Sequence, residues 1–190
     1  MGQNQSSDSQ AGTTDLLRHI INRRWREAEE RARLYPEEVN TWYQEKCIAR
    51  SPTIHFCMEG ATEQRSNAEG VMVRVLPVHI ACEGNAPLSL VQTLVNVFPD
   101  AVKIPDHRNK WLPLHYCATA SNEDSERLNF ILSEYSTGSQ CSEALGRLPL
   151  HLACEYGACS SAISNLVEAH PDSVRSLETT NMLESTKFNF

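Results

Sequence analysis

The chain has 190 residues, with 17 Lys or Arg against 24 Asp or Glu and a formal net charge of -7. That length supports one domain with a sizeable core plus a tail, and an acidic balance with no Lys/Arg block argues against nucleic acid, whose backbone is bound largely through counterion release from basic contacts. The seven cysteines, at 47, 57, 82, 117, 141, 154 and 159, form no C-x-x-C pair and suit a reducing, cytoplasmic setting better than secretion; no apolar run reaches the roughly 18 residues of a bilayer span, and no signal-peptide core opens the sequence.

Residues 1–12 carry no large apolar side chain after Met1, so a disordered tail is expected there. The tail matches M-G-x-x-x-[ST] at Gly2 and Ser6, the pattern for N-myristoylation once Met1 is removed. An arbitrary polar tail is the plain alternative. One acyl chain gives only marginal membrane binding, and the arginines at 18, 23, 24, 26, 31 and 33 are interleaved with Glu27, Glu29 and Glu30. The expectation is therefore a reversible, peripheral membrane contact through acylated Gly2.

From residue 13 to 39 the pattern changes. Thr14 or Asp15 can cap a helix, and Leu16, Leu17, Ile20, Ile21, Trp25, Ala28 and Ala32 share one face, with a break expected near Asn22. The polar opposite face is what an end unit of an array needs, because one of its sides meets water. Tyr35-Pro36 then stops the helix, as Phe98-Pro99 and His170-Pro171 do later.

Tyr35 and Phe98 stand 63 residues apart, which leaves an insertion of about 27 over a 36-residue period. The stretches from Val39 to Gln44 and from Val71 to Val75 are rich in β-formers, so residues 40–75 are expected to form an extended β-hairpin around a polar loop at 63–70. Periodicity does not decide whether 51–59 is helix or strand.

The period itself is set by Leu76-Pro77-Val78-His79, Leu112-Pro113-Leu114-His115 and Leu148-Pro149-Leu150-His151. Units of 76–111, 112–147 and 148–178 follow, each reading as a helix, a turn, a second helix and a loop. Second-helix positions are Leu88, Val91, Leu94, Val95 and Phe98, then Leu128, Ile131, Leu132 and Tyr135, then Ile163, Leu166 and Val167. Cys82 and Cys154 each follow a small alanine and read as small buried apolar groups. The loops are 105–111 and the Ser-rich 137–142, the second expected to be the more mobile. No further motif begins at 184, and Leu183, Phe188 and Phe190 in the 179–190 tail suit packing over the last unit or a partner docked there.

The three motifs resemble the ankyrin repeat, with its T-P-L-H-x-A signature and two helices per unit, and more closely the ankyrin-like arrays abundant in diatoms, where Leu often precedes the Pro. The resemblance covers residues 76 to 178 strongly and 13 to 75 weakly. Leu76, Leu112 and Leu148 replace the family's Thr, so the hydroxyl that ties the turn to the helix is missing. The resemblance implies an all-α repeat, an ankyrin-like helix-pair solenoid with β-hairpin fingers. It also implies that His79, His115 and His151 are structural, hydrogen-bonding within and between turns.

The same histidines invite a metal or catalytic reading. Equivalent positions in adjacent units lie roughly 8 to 10 Å apart, whereas Zn–N bonds need about 2.0 to 2.1 Å, so they cannot share an ion. His79 with Cys82 and His151 with Cys154 have i,i+3 spacing, yet an active site duplicated in register argues for packing. Cys141 and Cys159, in loops, are better reactive thiols, although no basic neighbour lowers their pKa. No phosphate loop, dinucleotide fingerprint, H-E-x-x-H or G-x-S-x-G motif is present. The sequence therefore points to a protein-binding adaptor or scaffold with no catalytic role and no cofactor. Trp42, Tyr43, His107, Arg108, Lys110 and Trp111 are its candidate contacts with a partner of unknown identity. A structural subunit whose last unit is buried in a larger assembly is the alternative.

Overall fold

The computed structural model describes residues 13–46, 72–120 and 125–175. The 1–12 tail with Gly2, most of the 40–75 insertion with Cys47, Cys57 and the stretches 51–59 and 63–70, and the 179–190 tail with Leu183, Phe188 and Phe190 lie outside the described residues. Within them the chain is all-α, apart from two short strands.

Helix α1 (Asp15–Ile21) begins where Thr14 Oγ1 accepts the Leu17 N–H at 3.3 Å. A second acceptor comes from 22 residues away, since Glu38 Oε2 takes the Leu16 N–H at 2.8 Å. Both satisfy amides that a helix start leaves without intrahelical partners. The chain turns at Asn22, with Arg23 left-handed at φ 56°, and resumes as α2 (Trp25–Leu34) and a 3-10 turn over Pro36–Glu38. Glu38 is buried there, and its other oxygen accepts from Arg31 Nε at 2.9 Å. Burial pushes the Glu38 carboxyl up, but the bonds from Arg31 and the Leu16 amide outweigh it and leave the pKa lowered.

Strands β1 (Tyr43–Lys46) and β2 (Met72–Val75) pair antiparallel, with Tyr43 opposite Val75 and Gln44 opposite Arg74. The first strand starts later than its β-formers suggest, because Val39 is buried at the end of the 3-10 turn, where its N–H bonds to Pro36 O.

Three further helix pairs follow. They are α3 (Pro77–Glu83) with α4 (Leu88–Val97), α5 (Pro113–Ala120) with α6 (Glu126–Glu134), and α7 (Pro149–Glu155) with α8 (Ser160–Ala169). Proline opens α3, α5 and α7, where its fixed φ suits the helix and its missing N–H is not needed. In α4 the buried stripe is Leu90, Val91, Leu94 and Val95; in α6 it is Leu128, Ile131 and Leu132. The first helices of each pair, α1, α3, α5 and α7, contact one another in chain order, and so do the second helices, α2, α4, α6 and α8. A continuous core runs between the two rows from Leu16 to Leu166.

Each second helix ends in the same backbone shape. Tyr35 (φ -132°, ψ 72°), Phe98 (-135°, 82°), Tyr135 (-150°, 76°) and His170 (-148°, 82°) all leave the helix alike. This corrects one expectation. The Ser-rich stretch 137–142 is not the projecting loop of its unit: Ser136–Gln140 form a 3-10 turn with Gly138 and Ser139 buried, equivalent to Pro36–Glu38 and Pro99–Lys103. The loop comes afterwards, at 141–147. Ser136 stands where the other units have proline, and that substitution hid the register.

Candidate functional site

The motif histidines are held by main chain on both sides of the ring. His79 Nδ1 accepts the Leu76 N–H at 2.9 Å, which places the ring proton on Nε2, 3.0 Å from Ile104 O. His115 repeats this with the Leu112 N–H at 3.1 Å and Cys141 O at 3.1 Å. His151 Nδ1 accepts the Leu148 N–H at 3.0 Å, and its ring hydrogen-bonds to the main chain of Ser173. The imidazole thus supplies the N3 half of a capping box, accepting the N–H of the leucine before the helix, and ties the start of each unit to the loop or turn that closes it. Burial pushes His79 and His115 down to about 4 and lowers His151 as well. A second proton would face a main-chain N–H, so the neutral ring is the form that fits.

The loops between units are built around buried carboxylates that the sequence pattern did not single out. Asp106 is 1% exposed. Its Oδ1 accepts the main-chain N–H groups of Arg108, Asn109 and Lys110 at 2.8, 2.7 and 3.1 Å, and its Oδ2 accepts the Tyr116 hydroxyl at 2.7 Å. Glu143 repeats the arrangement one unit on, accepting from the Leu145 and Arg147 amides, from Arg147 Nε at 3.1 Å and from Trp111 Nε1 at 3.4 Å. Neither residue carries a local sequence signal of its burial. Main-chain bonds also tie the first loop to β2, from His107 N–H to Arg74 O at 3.2 Å, and the second loop to the first, from Ala144 N–H to Asn109 O at 2.8 Å.

This construction separates the six residues expected to meet a partner. Trp111 is 1% exposed, its ring against His115 and Tyr116 at centroid distances of 6.2 and 5.1 Å. It is a core residue, not a contact, because its indole N–H points inward to Glu143. Tyr43 is likewise buried, opposite Val75. Trp42 is half-buried, Arg108 is half-buried, and His107 and Lys110 are exposed. The Trp42 and His107 rings meet edge to face at 5.2 Å, and the Arg74 guanidinium carbon lies 5.3 Å from the Trp42 ring centre. Arg74, absent from the sequence reading, joins this patch because β2 places it beside the following loop.

The cysteines also divide. Cys82 and Cys117 are fully buried and in contact across α3 and α5, and the Cys117 side chain raises the Cys82 thiol pKa well above its usual value, with burial adding to the effect. Cys154 departs from the expectation of a buried small group: it holds the same helical position as Cys82 but is exposed, because α5 covers Cys82 on α3 whereas among the described residues no further helix packs on the outer side of α7. Cys159 caps α8, and its sulfur lies 3.2 Å from Ser161 Oγ. That contact and the amides of the first turn lower its pKa. Among the described residues no group of three or more His, Cys, Asp or Glu side chains could hold a metal ion, and no helix is long and apolar enough to cross a membrane.

Neither a family model nor a curated protein sequence matches the chain.

Proposed function

We propose that the chain is an ankyrin-like helix-pair solenoid with β-hairpin fingers, acting as a non-catalytic adaptor or scaffold that binds another protein. The observation that carries the reading is the division of labour within the repeated unit. His79, His115 and His151, the groups best suited to acid–base chemistry, spend both ring nitrogens on main chain. Among the residues that differ from unit to unit, His107 and Lys110 stand at the surface of their loop and Trp42 is half-buried beside His107. A constant interior with a variable rim is the arrangement by which repeat proteins present binding surfaces. In this reading acylated Gly2 adds a weak, reversible tether to a cytoplasmic membrane face.

The test is affinity purification from native cells through a C-terminal tag, with co-purified proteins and the N-terminal peptide both read by mass spectrometry. The expected result is a stoichiometric protein partner and a myristoylated Gly2, with Gly2→Ala moving the complex from the membrane fraction to the soluble one. Recovery of the chain alone would sink the adaptor reading, and an unmodified N-terminus would sink the tether.

A further inference from the structure

We propose that the surface made by Trp42, Arg74 and His107 is the seat for a carboxylate side chain of an acidic peptide segment in the partner. The inference rests on the adaptor reading above and names the chemistry of its ligand.

Three observations converge on this surface. The first is an arginine with a spare donor: Nε of Arg74 is buried and has no hydrogen-bond partner, while the guanidinium lies over the Trp42 ring at 5.3 Å. An aromatic face holds a guanidinium in place while leaving its planar edge to recognise carboxylate. The second is the local charge. The loop that carries His107 also carries the exposed Lys110, and its acidic residue, Asp106, is sealed inside with both oxygens taken by main-chain amides and Tyr116. A positive corner on a chain of net charge -7 steers an acidic segment to one place and repels it elsewhere. The third is rigidity. The His107 N–H bond to Arg74 O and the edge-to-face contact of His107 with Trp42 fasten the loop to β2, so little order has to be imposed on binding. Trp and Arg are also the residues that most often dominate binding energy at protein interfaces.

The experiment uses the full chain and two fluorescein-labelled peptides, one alternating Glu and Ser, the other Gln and Ser, followed by fluorescence anisotropy. The Glu-Ser peptide is expected to bind with an affinity that falls as salt rises, and the Gln-Ser peptide is not. Arg74→Gln should weaken binding about tenfold, the loss of one charge-assisted contact, and Arg74→Lys should recover only part of it. Circular dichroism melts of both variants separate loss of the seat from loss of the fold, and Trp42→Phe, which keeps an aromatic face, gives a second route if Arg74→Gln unfolds. Equal binding of the two peptides, or binding indifferent to both Arg74→Gln and Trp42→Phe, overturns the proposal. So does Arg74-dependent binding to phosphatidylserine vesicles without binding to the Glu-Ser peptide, which would make the surface a membrane contact. In the tagged purification, partners retained unchanged by Arg74→Gln would leave the adaptor reading standing and remove this seat, whereas no partner at all would remove the adaptor reading itself.

Discussion

At the scale of the residue, two opposite shifts set the pH response of the fold. His79 and His115 sit near 4 in the folded protein against an ordinary value of 6.5. Between those values the unfolded chain holds the extra protons, so their stabilising effect is complete above 6.5 and is lost as the pH falls towards 4. Glu83 behaves in the reverse sense. Burial, with a smaller effect of Asp106, raises it from 4.5 to about 7, and its Oε1 is buried with no partner. Here the folded chain holds the proton, so stability is lost as the pH rises from 4.5 through 7. Urea unfolding across this range should therefore show a maximum at mildly acidic pH. Glu83→Gln should raise stability at neutral pH and flatten the upper limb, and a variant that keeps the wild-type slope above pH 5 would show that Glu83 does not titrate there.

Asp106 carries a second prediction at this scale. Asp106→Ala strands three main-chain donors and the Tyr116 hydroxyl, and should cost about 3 kcal/mol or more, against about 1 kcal/mol for Tyr116→Phe. Equal losses in the two variants would mean that the amide bonds contribute little. Thiol chemistry gives a third. Iodoacetamide should modify Cys159 before Cys154, because capping contacts favour the Cys159 thiolate while burial disfavours that of Cys154; Cys82 and Cys117 should react only on unfolding. Peptide mapping after short exposures reads the order directly.

At the scale of the element, two left-handed positions mark equivalent places in the units. Asn85 (φ 57°) and Gly157 (φ 68°) both follow a first helix, 72 residues apart. A Cβ at Gly157 would meet no atom within 4 Å, so Gly157→Ala tests backbone strain alone and should destabilise by about 1 kcal/mol. A neutral result in thermal melts would mean that the turn relaxes. These turns also show which parts of the fold were legible. The helix pairs could be read because proline starts and apolar stripes are local signals, and the break at Asn22 because Leu16 to Ile21 and Trp25 to Ala32 each carry their own stripe. The loop of the 112–147 unit was misplaced because its 3-10 turn begins with Ser136 in place of proline, so the backbone recurs without its usual residue. Trp111 reads as a surface contact because its burial depends on Glu143, 32 residues later, and Asp106 gives no local signal of burial because its hydroxyl partner sits on α5. Arg74 has no local signal for the same reason: the bond from His107 to β2 is a tertiary fact.

At the scale of the whole molecule, contacts run from each helix to the next in its row, so stability should be graded along the chain. Amide hydrogen exchange should be slowest in α3 to α6, which have neighbours on both sides among the described residues, and faster in α1, α2, α7 and α8. Uniform protection across α1 to α8 would point instead to one cooperative unit. Trp111→Ala, which removes the largest fully buried side chain between two units, should cost about 3 to 5 kcal/mol and accelerate exchange on both sides of position 111.

The histidine bonds have a consequence for the length of such a chain. His79 reaches Ile104 and His115 reaches Cys141, so each ring closes inside its own block, 76–111 or 112–147. Other bonds do cross between these blocks, main chain to main chain from Ala144 to Asn109 and side chain to side chain from Tyr116 to Asp106 and from Trp111 to Glu143. A whole block can still be duplicated or excised at Leu112 without orphaning an imidazole, whereas a cut a few residues into a block strands one. For the imidazoles the joints of recombination lie at the leucines, while an excision there must also replace the Asp106 partner of Tyr116 and the Trp111 partner of Glu143.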